Sequence, residues 1–216
     1  MTESEKMLAG KIYDPFGDDM VKRRTRAHEL CTKYNQTSEG DEALRKEILD
    51  ELLPHRAEGV YLQGPIYFDF GCNTTFGERS YANFNLTVLD ICPVTIGHDV
   101  FMGPGVSLLT PLHPLCPEDR NPYFDKKKGR VTEREYGAPI TIGNNCWIAG
   151  NVTIYAGVNI GDGCVIGAGS VVTRNIPKNS LAAGTPCRVL REITEADRLK
   201  NHPELFADND FEELGK

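Results

Sequence analysis

The most constraining feature of this 216-residue sequence is a six-residue period that begins at Ile142. The successive blocks read IGNNCW, IAGNVT, IYAGVN, IGDGCV, IGAGSV and VTRNIP. An amphipathic helix repeats its apolar face every three or four residues, and a hairpin strand alternates without a fixed block of six, so neither explains the pattern. A sustained period of six is typical of hexapeptide β-helix repeats, in which each block supplies a short strand and a turn.

Two places in each block are predicted to point inward, so that stacked coils bury an apolar column no single coil could bury alone. The first place is held by Ile142, Ile148, Ile154, Ile160, Ile166 and Val172, and the fifth by Cys146, Val152, Val158, Cys164, Ser170 and Ile176. Glycine and asparagine after the strands are predicted to occupy corners with unusual backbone angles. These residues are Gly143, Asn144, Gly161, Gly163 and Gly167.

The same phase is visible earlier in the chain, so the β-helix is predicted to span residues 58–193. Ile96, Met102 and Leu108 take the first place. A weaker signal with a slip near Cys92 precedes them, and its first-place residues are Phe70, Phe76, Ala82 and Val88. Cys92, Cys146 and Cys164 then fall at inward positions, where a small apolar side chain packs well and no catalytic role is expected.

Both flanks of the predicted β-helix lack the period. Residues 1–57 are predicted to form a helical cap over its open end, because helical spacing begins after Asp18 and Asp19 and returns further along. The residues with this spacing are Met20, Ala27, Leu30, Cys31, Tyr34, Leu44, Ile48 and Leu52. In residues 194–216, Thr194 is expected to begin a short helix that leads into an acidic tail.

Charge, hydropathy and cysteine spacing limit the kinds of partner and the cellular location that we expect. A net charge of -7 disfavours nucleic acid as the main partner. No apolar run is long enough to span a bilayer, and the charged start MTESEKMLAGK lacks a signal segment. The seven cysteines are widely spaced and never form a CxxC pair, which favours free thiols over disulfides or structural zinc. We therefore expect a cytoplasmic protein without a membrane partner.

The period is interrupted once, over residues 110–139, and His113 stands at the root of this insertion. The inserted segment is rich in Pro, Lys and Asp. Long excursions from compact domains are often functional, whereas a lone histidine beside prolines is more often a packing residue. The triplet Lys126, Lys127 and Lys128 is interpreted as a solvated loop tip.

The chain resembles the hexapeptide-repeat acyltransferases, and within them the maltose, galactoside and nodulation-sugar O-acetyltransferases. The segments that carry the resemblance are EKMLAGKIYD, SYANFNLTVLDICPVTIG, the histidine-proline loop, EYGAPITIGNNCWI and VIGAGSVVTRNIPKNSLAAGTPCRVLREI. The resemblance implies an all-β solenoid with helical caps, a left-handed parallel β-helix. It further implies a homotrimer with active sites between subunits, which uses acetyl-CoA to acetylate a sugar hydroxyl.

By this resemblance His113 is the general base, a role that needs a neutral group with a pKa near 7. Glu135, where the insertion rejoins the coil, is a candidate to orient the imidazole, although an exposed loop carboxylate is an equal alternative. Asn83 matches the family asparagine that orients the reacting groups; a corner asparagine is the alternative.

The resemblance also places three carboxylates near the acceptor. Asp69 and Asp90 fall near positions that line the sugar pocket in the family. Some family members carry a second acid where this chain has Ile91, which leaves the identity of the sugar open. Asp14 lies within about one residue of the position that holds the family's acceptor-contacting acid near the start.

Positions that match coenzyme A contacts in the family lie on the last coils. Backbone groups and small side chains suit the pantetheine arm, and cations suit the phosphates. The matching residues are Trp147, Gly150, Ala168, Thr173, Arg174, Arg188 and Arg191. Trp147 could equally pack between subunits, and Arg188 and Arg191 could be ordinary surface residues.

Two other interpretations of the same architecture remain. A zinc enzyme of the carbonic anhydrase type needs three histidines at one interface, but only His98 and His113 lie in the coil region, so no metal is expected. A non-catalytic β-helix scaffold would bind no acetyl-CoA. An acetyltransferase that acts on a xenobiotic or another small alcohol is the alternative within the family.

Overall fold

The computed structural model describes residues 1–206, and its main body is a three-sided parallel β-helix. Sheet 1 comprises β1 (His55–Arg56), β4 (Thr74–Phe76), β7 (Val94–Ile96), β14 (Ile140–Ile142) and β17 (Asn159–Ile160). Sheet 2 comprises β2 (Tyr61–Leu62), β5 (Tyr81–Ala82), β8 (Phe101–Met102), β15 (Trp147–Ile148), β18 (Val165–Ile166), β20 (Ser180–Gly184) and β21 (Cys187–Glu192). Sheet 3 comprises β3 (Ile66–Phe68), β6 (Leu86–Leu89), β9 (Ser107–Leu109), β16 (Thr153–Tyr155) and β19 (Val171–Val172).

The chain visits sheets 1, 2 and 3 in turn, and each strand pairs in parallel with its equivalent one coil away. Ile148 of β15, for example, lies between Met102 and Ile166. Among the strands of residues 1–206 in these three sheets, the antiparallel pair is β20 with β21, which folds back over the last coil. The predicted architecture of a parallel β-helix with helical elements at its ends is confirmed.

The inward positions predicted from the period form the core. All twelve first-place and fifth-place residues of the last six blocks are buried, and Cys92 is fully buried as well. Every cysteine is a free thiol. The core is continuous from the last coils to the helical cap, because the same cluster contains Leu30 and Leu52.

The corner residues were predicted partly for the wrong reason. Gly163 has a φ of +68°, as expected, but Gly143 has an ordinary φ. Its hydrogen faces the next coil, where a Cβ would lie 2.3 Å from Asp162 Oδ1 and 2.7 Å from Asp162 N. Close approach of stacked backbones, rather than backbone angle, therefore requires glycine at position 143.

Three helices precede the coils: α1 (Glu3–Leu8), α2 (Asp18–Asn35) and α3 (Glu42–Leu52). The predicted apolar face of α2 is buried throughout, whereas Leu44 of α3 is exposed. The periodicity did not indicate α1. After the coils, Thr194 caps a short 3-10 helix, Glu195–Asp197, followed by Leu199–Asn201 and Pro203–Leu205. Most of the predicted acidic tail lies outside the described residues.

The insertion leaves the β-helix after β9 and returns at β14. It begins and ends with an antiparallel pair, β10 (Pro111–Leu112) with β13 (Tyr136–Gly137). Between them lie α4 (Pro117–Arg120) and a hairpin of β11 (Tyr123–Asp125) with β12 (Arg130–Thr132). The aperiodic segment is therefore locally structured.

Candidate active site

His113 and Glu135 face each other across the root of the insertion. Because Leu112 pairs with Tyr136 in the β10–β13 ladder, the next positions on the two strands are His113 and Glu135. His113 Nε2 lies 3.8 Å from Glu135 Oε1, an ion-pair distance rather than a hydrogen bond. The imidazole is 46% exposed, whereas the carboxylate is 13% exposed. The imidazole therefore faces solvent, and the carboxylate behind it is sheltered.

The other oxygen of Glu135 is held by a residue that the sequence analysis did not select. The Tyr13 hydroxyl donates a hydrogen bond to Glu135 Oε2. The two backbones also pair: Tyr13 N donates to Glu135 O at 2.9 Å, and Glu135 N donates to Tyr13 O at 3.3 Å. Tyr13 lies within the KIYD segment, but nothing in the spacing connects it with a residue in the insertion.

Burial dominates the electrostatics of this cluster. Burial raises the pKa of Glu135, while the Tyr13 hydroxyl and His113 act in the opposite direction. The negative charge of Asp69 adds to the upward shift. Burial also raises the pKa of Tyr13, and the neighbouring Glu135 reinforces that shift, so the Tyr13 hydroxyl keeps its proton and acts as a donor.

Asp69 lines a pocket of about 240 Å³ between α2 and the outer face of sheet 3. His28 on α2 points to it, with Nε2 3.6 Å from Asp69 Oδ1. Burial raises the pKa of Asp69, and His28 opposes the shift. The remaining lining residues are Cys31, Thr32, Asn35, Tyr67, Phe68 and Leu89, which give the pocket both apolar and hydrogen-bonding surface. His28 was not selected from the sequence.

Asp90 does not line an open pocket, because it is fully buried. Its Oδ1 accepts hydrogen bonds from the backbone N–H groups of Phe70 and Gly71, and its Oδ2 accepts one from Thr74 Oγ1. Burial raises the pKa of Asp90 to about 6 against these bonds. Asp90 therefore holds the turn that directly follows Asp69.

Asp14 is 6% exposed, and side chains of the insertion bind both of its carboxylate oxygens. Its Oδ2 accepts hydrogen bonds from Lys128 Nζ at 2.5 Å and Arg130 Nη2 at 2.7 Å, and its Oδ1 accepts one from Thr132 Oγ1 at 2.6 Å. Lys128 is exposed at the hairpin tip, as predicted, but its ammonium group also pairs with Asp14. The acceptor role expected for Asp14 would require these contacts to open.

The other expected residues lie on two edges of the β-helix. Asn83, Gly150 and Ala168 follow strands of sheet 2 and lie on the edge between sheets 2 and 3. Thr173 and Arg174 follow β19, on the edge where sheet 3 ends and where His113 leaves the coil. About six residues of sheet 3, one hexapeptide block, separate these edges, or roughly 20 Å at ~3.3 Å per residue. One chain therefore does not bring Asn83 to its own His113.

The expected coenzyme contacts at the end of the β-helix are accessible. Trp147 projects from sheet 2 and is 55% exposed. Arg188 and Arg191 lie on β21, and Arg191 forms a bidentate pair with Asp197 at 2.7 and 2.9 Å.

Within residues 1–206, no group of three or more His, Cys, Asp and Glu side chains is placed to hold a metal ion. No helix in that range is long and apolar enough to cross a membrane.

Parallel coils of hexapeptide repeats and a helical cap are the architecture of the hexapeptide-repeat acyltransferases. The maltose acetyltransferase hexapeptide capping motif matches residues 6–56, and six repeats of the bacterial transferase hexapeptide match residues 139–174. The chain belongs to the maltose and galactoside O-acetyltransferase family, and it is an acetyltransferase.

Three relatives illustrate the likeness. Galactoside O-acetyltransferase of Escherichia coli (strain K12) is 40% identical over 92% of this chain and 93% of its own. The crystal structure of a maltose O-acetyltransferase from Clostridium difficile 630 superimposes with a TM-score of 0.80 at 40% identity, over 90% of this chain and 99% of its own. A galactoside acetyltransferase in complex with coenzyme A gives 0.81 at 37% identity, over 97% of each chain.

Proposed function

We propose that this protein transfers an acetyl group from acetyl-CoA to a hydroxyl of a sugar, with His113 as the general base. The observation that carries the proposal is the pairing of an exposed imidazole with the sheltered carboxylate of Glu135. The family relationship supplies the reaction class, and the related galactoside acetyltransferase in complex with coenzyme A supports acetyl-CoA as the donor.

The reaction needs one base and balances without any further reagent. A neutral His113 takes the proton of the acceptor hydroxyl while that oxygen attacks the thioester carbonyl. The resulting tetrahedral intermediate collapses, the C–S bond breaks, and the imidazolium returns its proton to the departing thiolate of coenzyme A. Glu135 stabilises the imidazolium that forms during the transfer, and its distance from His113 is expected to shorten when substrates bind.

The complete site requires a second copy of the chain. Asn83 and the small residues expected to contact the pantetheine arm lie on one edge, and His113 lies on the other. A homotrimer in which the edge between sheets 2 and 3 of one subunit faces the His113 edge of its neighbour brings these groups together and closes by symmetry. Outward aromatic side chains of sheet 2, Phe101 and Trp147, are about half exposed, which is consistent with burial between subunits.

The acceptor occupies the pocket beside Asp69. A carboxylate and an imidazole offer hydrogen bonds to neighbouring hydroxyls, and Tyr67 and Leu89 offer apolar surface for a sugar ring. A maltose-, glucose- or galactoside-like acceptor fits this chemistry better than an apolar xenobiotic alcohol. The free thiols suit a reducing, cytoplasmic location.

The test is thiol release from acetyl-CoA with a panel of sugars and simple alcohols, for the wild type, His113→Ala and His98→Ala. His98 is a matched control, because it is 45% exposed and also faces a carboxylate, Asp99, at 2.7 Å. His113→Ala is expected to lower transfer about 10²- to 10⁴-fold, with trimer size and the CoA-dependent rise in Tm unchanged. Near-normal transfer by His113→Ala refutes the mechanism. Absence of both transfer and the rise in Tm in the wild type indicates a scaffold.

A further inference from the structure

We infer that Tyr13 is a positioning residue for acetyl transfer, because its hydroxyl and backbone fix the Glu135 carboxylate against His113. This inference rests on the proposed role of His113. It makes the segment before α2 part of the catalytic apparatus, although Tyr13 and Glu135 are 122 residues apart in sequence. Tyr13 acts through Glu135 and does not contact the reacting atoms in this arrangement.

The attachment has three points, which distinguishes it from incidental contact. Two backbone hydrogen bonds form an isolated antiparallel bridge between Tyr13 and Glu135, and the phenol hydroxyl adds a bond to Oε2. With the backbone fixed and Oε2 bound, the remaining oxygen, Oε1, is the one directed at His113 Nε2. His113 Nδ1 makes no hydrogen bond to any described residue, so it is available to an acceptor.

The ring and the hydroxyl of Tyr13 have separable roles. The ring is buried in an apolar cluster, 3% exposed, whose other members are Met7, Met20, Phe70, Ile91 and Cys92. A phenylalanine at position 13 would fill the same space. The hydroxyl is the part of the side chain that forms a hydrogen bond with Glu135. Tyr13→Phe therefore removes that bond and leaves the packing and the backbone bridge in place.

The Tyr13 hydroxyl affects the pKa of Glu135 because the charges around Glu135 act in both directions. Asp69 and Glu133 face it with negative charge, and His113 opposes them. Burial raises the pKa of Cys92 in the same cluster, and Glu135 adds to that shift; the charge of Arg24 lowers the pKa values of Tyr13 and Asp69. Without the hydrogen bond from Tyr13, burial and the two acids would raise the pKa of Glu135 further. A larger fraction of Glu135 would then be protonated, and it could not stabilise the imidazolium of His113.

The sign of the expected pH effect follows. The active dyad has neutral His113 and ionised Glu135, so kcat/KM rises with pH as the dyad loses its proton. Because Tyr13→Phe makes Glu135 easier to protonate, the acid limb of the profile should move to higher pH, by about one unit. At a fixed pH on that limb, kcat/KM should fall about 10-fold, because one pH unit changes the ionised fraction about tenfold.

The experiment compares pH profiles of kcat/KM for the wild type, Tyr13→Phe, Glu135→Gln and the double variant. If Tyr13 acts through Glu135, the second substitution adds little to the first, and the double variant resembles Glu135→Gln. Tyr34→Phe is the control, since Tyr34 is 2% exposed and its hydroxyl donates to Leu62 O, away from Glu135. It should lower Tm without moving the profile. An unshifted acid limb in Tyr13→Phe, or full additivity, overturns the inference.

A second measurement does not depend on catalysis. Selective ¹³C labelling of glutamate carboxyls, with Glu135→Gln for assignment, follows the titration of Glu135 directly, and its midpoint should be higher in Tyr13→Phe than in the wild type. If Tyr13→Phe does not fold, 3-fluorotyrosine in place of every tyrosine strengthens the donor and should lower the midpoint. An unchanged midpoint overturns the inference. A moved midpoint together with a fully active His113→Ala refutes the proposed function alone.

Discussion

Substitution of Asp14 tests whether the N-terminal segment anchors the insertion. Burial alone would raise its pKa, but hydrogen bonds from Lys128 and Thr132 outweigh burial and lower the pKa from 3.8 to about 2. A carboxylate held this far below its ordinary pKa contributes about 2 kcal/mol to the folded arrangement. Asp14→Asn keeps the size of the side chain and removes its charge, so we expect a loss of about that amount.

The pH dependence of this loss has a definite sign. A group whose pKa is lowered on folding stabilises the folded state fully above its unfolded pKa, near 4, and loses that contribution as the pH falls toward 2. Between pH 5 and 8 the carboxylate is charged in both states. The difference between the wild type and Asp14→Asn should therefore be constant across that range.

Limited trypsin digestion measures how often the insertion opens in Asp14→Asn and in the wild type. Lys126, Lys127, Lys128 and Arg130 offer cleavage sites in the insertion. A loss of about 2 kcal/mol corresponds to roughly 30-fold more frequent local opening and a similar increase in cleavage there. Mass spectrometry of the first fragments shows whether the cut lies in the insertion.

Asp50→Asn is the matched control for this prediction. Asp50 also pairs with two cations, Lys46 and Arg56, each at 2.6 Å, but its side chain is 51% exposed. Exposed pairs contribute about 0–1 kcal/mol, so cleavage of the insertion should not change. Equal cleavage of Asp14→Asn and Asp50→Asn would refute the view that Asp14 anchors the insertion.

Two further predictions concern the coils and the pocket. Gly77→Ala should lower the free energy of unfolding by about 3 kcal/mol, because its Cβ would lie 2.5 Å from the backbone of Gly97 and His98. Chemical denaturation checks this against Gly40→Ala, whose Cβ meets only Ser38 Oγ at 3.8 Å; equal midpoints would contradict it. Asp69→Asn should raise KM for the acceptor about 10-fold, a typical cost of weakening a charged hydrogen bond, with KM for acetyl-CoA unchanged. A rise in the acetyl-CoA KM instead would place the donor in that pocket.

The sequence predicted the β-helix well because its information is local. Each hexapeptide carries its own inward pair, and each coil contacts only its neighbours, so Ile142 to Val172 could be placed without knowing the rest of the fold. The α2 face was predicted for the same reason, since helical periodicity is a short-range property. The reason for glycine at position 143 was not predicted, because it depends on the coil stacked above.

The candidate site was only partly predictable. His113 and Glu135 were both selected, and their pairing follows from the two strands that close the insertion. Asp90 was expected at a pocket surface and is instead fully buried, because its hydrogen-bond partners come from the preceding coil and are invisible in the local sequence.

The sequence by itself determined the coiled architecture, the position of the interruption and the histidine at its root. Only the tertiary structure decided what surrounds that histidine. The contacts of Tyr13 with Glu135 and of Asp14 with Lys128 join segments more than a hundred residues apart. No period or spacing encodes such pairs, because they arise when the N-terminal segment packs beside the insertion and buried polar groups must find partners there.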